Sequence, residues 1–137
     1  MEAPLKNYNH PILSKKEKTA AAKKPATAIV NTIIEALEEL KAVDITIMDL
    51  REVHEASSDF FIICNGTSST HIGGLADRVQ KNVWEQLGER PLHVEGKQGR
   101  HWLLIDYFNV VVHIFEKEKR EFYDIERLWS DAKIQKI

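Results

Sequence analysis

The stretch DFFIIC, residues 59–64, constrains the fold more than any other in the chain, because it is apolar at odd and even positions alike. A strand with one wet face alternates apolar and polar side chains, so a strand apolar throughout is covered on both faces. That demands a sheet with layers packed against it, an α/β class of architecture. Directly after this strand comes NGTSSTH, residues 65–71, a glycine followed by hydroxyls and a histidine. A glycine after a strand, with Ser and Thr opening a helix, points backbone N–H groups and a positive dipole end at whatever sits there. Two readings follow. Either Gly66 makes the turn and Ser68, Ser69 or Thr70 caps the helix, or Gly66-Thr67-Ser68 holds a nucleotide phosphate. The phosphate loop of nucleotide hydrolases needs a second glycine and a lysine before the hydroxyl, and neither is present. Ser68 or Ser69 as a nucleophile would need a nucleophile elbow, which the local sequence lacks. The turn is the favoured reading, and a nucleotide-binding or nucleotidyltransferase-like enzyme is the alternative.

The surrounding elements follow from periodicity. Ile29, Val30, Ile33, Ile34, Leu37 and Leu40 recur at helical spacing, with Thr27 placed to cap. DITIMDL (44–50) reads as a strand. Ile72, Leu75, Ala76, Val79, Val83 and Leu87 share one face of a second helix, closed by Gly88 at the capping position. LHVEG, HWLLID and VVVHIFE are three more strands, the last two joined by a hairpin turn around Tyr107 to Asn109, where Asn109 can take a positive φ. REFYDIERLW closes the chain as one helix with Phe122, Ile125, Leu128 and Trp129 on its apolar stripe. The order α-β-β-α-β-β-β-α predicts a mixed five-stranded sheet flanked by helices. The composition shifts near Pro25, giving a lysine-rich disordered tail over 1–24, dispensable for folding, and one domain over 25–137.

Charge separates the two parts. Residues 1–24 hold six lysines against two glutamates, whereas the domain holds 13 basic and 19 acidic residues, a net −6. An acidic body is poorly suited to gripping a phosphate backbone and better suited to a basic protein partner. The single cysteine, Cys64, lies in the apolar strand and reads as a small buried hydrophobe. It permits no intrachain disulfide, and with no signal peptide or membrane-spanning stretch this points to the cytoplasm. One thiol and scattered histidines assemble no zinc set. Asp44, Asp49 and Asp59 fall at strand ends without the paired spacing that two divalent cations require, so neither a metal nor another cofactor is expected.

Aromatic residues crowd the last third. Trp129, on the helical stripe, reads as core. Trp102 follows the polar segment EGKQGRH and reads as a surface anchor, with Leu104 and Asp106 on its face of the strand. His113 sits among valines and isoleucine and reads as a partly buried, satisfied histidine.

Taken together, DITIMDL, SSDFFIICNGTSSTHIGGLADRV and HVEGKQGRHWLLIDYFNVVVHIFEKEKREFYDIERLW resemble the ribosomal silencing factor family, also called the Iojap or YbeB-like family, over about residues 27–129. The turn at Phe108-Asn109 departs from the family's glycine and aspartate. The resemblance implies a nucleotidyltransferase-like outline without catalytic carboxylates, and a binding protein rather than an enzyme. It implies attachment to the large ribosomal subunit through its universal protein L-fourteen, blocked joining of the small subunit and repressed translation when nutrients run short. It adds Arg120 and Tyr123, with His113, to Trp102, Leu104 and Asp106 as expected partner-binding residues. The apolar surface needed for such a partner could also pair with itself, giving a symmetric homodimer of the free protein.

Overall fold

A computed structural model describes residues 24–137, so all of the expected tail but Lys24 lies outside the described residues. The elements are α1 (Ala26–Glu39), β1 (Val43–Asp49), β2 (Phe60–Gly66), α2 (Ser69–Leu87), β3 (His93–Glu95), β4 (Trp102–Tyr107), β5 (Val110–Glu116), α3 (Lys117–Tyr123), α4 (Ile125–Leu128) and β6 (Lys133–Lys136). The sheet has six strands in the order β3-β4-β5-β2-β1-β6. β2 and β5 run parallel at its centre, and every other neighbouring pair is antiparallel. The α/β architecture is thus as expected, with one strand more than the five the sequence suggested. β6, Lys-Ile-Gln-Lys, pairs with the free edge of β1, setting Ile134 opposite Met48. All four of its residues are exposed. A short polar strand with lysine at both ends offers no apolar alternation to detect, and it is the kind of edge that resists further pairing.

β2 is buried at every position. Ile62 and Cys64 face α1 and α2 together with Ile105, Val112 and Ile114. Phe61 and Ile63 face the other way, with Met48, Trp102, Leu104 and Phe115. This second face is roofed by Leu50, Val53 and Ala56 from the β1–β2 connection, and by Ile125, Tyr123 and Trp129 from the chain's end.

Local chemistry sets the boundaries. α1 begins at Ala26, earlier than a Thr27 cap would allow, because the Pro25 carbonyl accepts from the N–H groups of Ala28 and Ile29. α2 is capped by Ser68, whose side chain accepts from His71 N–H, and ends at Gly88 in the left-handed region, φ 66°.

Three local expectations are corrected. The single C-terminal helix is two, broken at Asp124, whose φ of 44° turns the chain after its N–H closes on the Arg120 carbonyl. The apolar stripe therefore does not survive the break: Ile125 is buried, but Phe122 is 77% exposed and Leu128 65%. In the β4–β5 hairpin Tyr107 pairs with Val110, so the loop is Phe108 and Asn109 alone. Its positive φ, 47°, falls on Phe108 rather than Asn109. The Asn109 carbonyl instead accepts from the N–H groups of Asp59 and Phe60, fastening the hairpin to the start of β2.

β1 carries a bulge. Val43 pairs with Asn65 but Thr46 with Ile63, which leaves one extra residue on β1. Asp44 lies in this stretch at φ 50°, a left-handed conformation costing a non-glycine residue about 1–2 kcal/mol.

Candidate functional site

Two places bear on function. The first is a cleft of about 500 Å³ at the carboxyl ends of β2 and β5, lined by Gly66, Thr67, Ser68, Ile72 and Glu116. It contains the strand-to-helix turn of the NGTSSTH segment. Gly66 is required sterically, since a Cβ there would lie 2.5 Å from Ile72 Cγ1. Two backbone donors of the turn are engaged within the chain. Thr67 N–H donates to His71 Nδ1 at 2.9 Å, and His71 N–H donates to Ser68 Oγ at 3.0 Å. The other ring nitrogen, Nε2, lies 2.7 Å from the Leu40 carbonyl and donates to it, so His71 ties the turn to the end of α1. His71 thus acts as a strut for the loop, and its Nδ1, already accepting, is not aimed at Ser68 Oγ as a base. Among the described residues no cluster of His, Cys, Asp or Glu could hold a metal ion. Cys64 is buried beneath, its thiol pushed up to about 12 by desolvation.

The second place is the sheet face bearing Trp102. Alternation does put Trp102, Leu104 and Asp106 on one face, and His113 lies directly opposite Leu104 on the neighbouring strand. All four are buried, however, with Trp102 only 1% exposed. This corrects the expectation of Trp102 as a surface anchor: the residues after β5 fold back over it. Its ring stacks on Phe115 at 4.8 Å and lies 4.9 Å from the Tyr123 ring. Its Nε1–H donates to His113 Nδ1 at 3.1 Å. That bond leaves the His113 proton on Nε2, and burial holds the ring neutral, its pKa pulled down to about 3. His113 is therefore more deeply buried than expected. Trp129 reverses too: expected as core, it is half-buried, its ring edge-on to Phe61 at 6.1 Å.

Arg120 joins the two places. Nε and Nη2 donate to the two oxygens of Glu126 at 3.0 and 3.2 Å. Nη1 donates to the Asp44 carbonyl at 2.7 Å and to Asn65 Oδ1 at 3.0 Å, and Nη2 also donates to Thr46 Oγ1 at 3.1 Å. A guanidinium has five N–H groups, and all five are used here. Arg120 consequently has no donor left for direct contact with a partner, the role expected for it. The acceptors at Asp44, Thr46 and Asn65 were not foreseen, since they stand 55 to 76 positions away. Of the expected partner-binding residues Arg120 and Tyr123 are partly exposed, and Phe122 packs edge-on against Tyr123 at 5.1 Å.

The fold and these two places define a mixed α/β domain whose strand-to-helix turn is internally bonded and whose second sheet face is roofed by a short, largely exposed C-terminal segment. Residues 22–137 match the family described as "Ribosomal silencing factor during starvation", and the chain belongs to that family. It is 36% identical over 107 residues to the ribosomal silencing factor RsfS of Haemophilus influenzae, covering 75% of this chain and 99% of that one. It is 28% identical over 104 residues to the mouse protein named "Mitochondrial assembly of ribosomal large subunit protein 1", covering 74% of this chain and 45% of that one. The crystal structure of a Chromobacterium violaceum protein superposes with a TM-score of 0.73 at 32% identity, covering 78% of this chain and 88% of that one.

Proposed function

We propose that this protein binds the large ribosomal subunit through its universal protein L-fourteen, blocks joining of the small subunit and so represses translation in the cytoplasm. The observation that carries the reading is the match of the entire described domain to ribosomal silencing factors. The name of the mouse relative, which refers to assembly of the ribosomal large subunit, supports that subunit as the target. The domain's 13 basic against 19 acidic residues suit a basic partner. For the contact surface we propose the outside of α3 and α4, where Phe122 and Leu128 stand exposed and Phe122 packs edge-on against Tyr123. Exposed aromatic and aliphatic side chains ringed by charge are the composition of an interface centre. Trp102, Leu104 and His113 support this surface from beneath.

Co-sedimentation of the purified protein with isolated large subunits, followed by addition of small subunits, tests the reading. Binding, and fewer joined ribosomes, is the expected result. Phe122→Ala with Leu128→Ala is expected to weaken binding by about 2 kcal/mol or more, the scale of a hot-spot loss. Calorimetry with ATP, GTP and CTP in magnesium covers the rival use of the Gly66 turn. Micromolar nucleotide binding without co-sedimentation would overturn the proposal.

A further inference from the structure

The residues after β5 differ from the rest of the domain in how they are held. α3 has no buried residue, α4 has only Ile125, and every residue of β6 is exposed. The segment therefore has little apolar burial to fix it, in contrast to α1 and α2, which bury one full face against the sheet. It nevertheless carries the exposed Phe122 and Leu128 and roofs Trp102. Polar contacts must supply what burial does not, and those of Arg120 reach three separate stretches of chain: β1, β2 and α4. The Arg120 side chain is only 10% exposed, and four of its five bonds are part-buried, the one to the Asp44 carbonyl being exposed; charge assistance strengthens each of them. The bulge in β1 belongs to the same arrangement. Asp44, in its left-handed conformation, offers its carbonyl to Nη1 at 2.7 Å, and the neighbouring Thr46 offers its hydroxyl.

We infer that Arg120 is a latch: a positioning residue that holds α3 and α4 as one ordered strap over the Trp102 face, and whose release frees the strap while the rest of the domain stays folded. Its consequence for ribosome binding rests on the reading above, since the strap would present the contact surface. Local opening of a weakly buried segment beside an intact core is the behaviour of a separate cooperative unit. Lysine cannot replace Arg120, because one ammonium on a flexible stem cannot meet acceptors arranged around a planar fork.

The test combines hydrogen exchange with large-subunit binding for Arg120→Gln, Arg120→Lys and Glu126→Gln. In both Arg120 variants the amides of α3 and α4 are expected to exchange at least about tenfold faster, while those of β2 and α2 keep their protection. Large-subunit binding is expected to weaken at least about tenfold in the same variants, the scale of losing an ordered hot spot. Glu126→Gln, which leaves the bonds to β1 and β2, should fall between them and the unaltered protein. Loss of protection across β2 and α2 together with the strap would overturn the inference, because the strap would then not be separable. Retention of strap protection in Arg120→Lys would overturn it as well. If the unaltered protein fails to bind large subunits, the proposed function falls, and the exchange data still decide the latch.

Discussion

Replacing Trp102 with alanine should cost stability before it costs anything else. The side chain is almost wholly buried, stacked on Phe115 and against Tyr123, and it donates to His113 Nδ1. Truncating a buried tryptophan costs about 3–5 kcal/mol through lost transfer energy and the cavity left behind. The same change strands the His113 acceptor in the core, adding about 1–3 kcal/mol. Even the lower ends of these ranges together make up much of the roughly 5–15 kcal/mol that holds a domain folded. Trp102→Phe separates the two effects, since it keeps a ring in the stack and deletes only the N–H end; about 2 kcal/mol is expected. Adding His113→Phe to that variant should recover part of the loss, because removing both partners of a buried hydrogen bond is gentler than removing one. Trp129→Ala, at a half-buried site, should cost less than Trp102→Ala. Urea denaturation with an unchanged slope reads all four variants as midpoint shifts. A Trp102→Ala protein at least as stable as Trp129→Ala, yet unable to bind large subunits, would refute the reasoning and return Trp102 to the surface.

Two other outcomes follow from particular residues. His113 takes its proton near pH 6.5 in the unfolded chain but only near 3 in the fold, so its contribution is complete above about 6.5 and is lost as the pH falls towards 3; denaturation midpoints between pH 7 and 4 should decline, and His113→Phe should flatten that decline. Phe108 holds a positive φ at the first position of a two-residue hairpin loop, so Phe108→Gly should raise stability by about 1 kcal/mol in the same urea assay, and a fall of that size would mean the ring's packing outweighs the backbone strain.

Much of the fold is legible locally. β2 shows its double burial in DFFIIC, α2 shows its face in a 3.6-residue period, and Ser68 and Gly88 mark its ends, because each of these signals involves residues within a turn or two of one another. The resemblance to ribosomal silencing factors was likewise present in contiguous motifs. Sequence periodicity failed where the chain departs from a regular element. Asp124 breaks the last helix, so counting through it sent Phe122 and Leu128 inward when they face out. It failed again where burial is decided by a distant segment. Trp102 follows a polar stretch, and nothing nearby announces that Tyr123, Ile125 and Trp129 return to roof its face.

The sequence by itself determined the layered α/β class, the capped strand-to-helix turn and the family, since these rest on short-range patterns of apolar spacing, turn chemistry and contiguous motif. Only the tertiary structure decided that β6 completes the sheet, that Trp102 is core and Trp129 half-exposed, and that Arg120 is fully engaged within the chain. The physical reason is common to all three: the burial of a side chain and the hydrogen bonding of side chain or backbone depend on which remote segment comes to lie against it. A four-residue polar strand, a carbonyl turned out at a bulge and an asparagine 55 positions upstream leave no periodic trace of the partner they will meet.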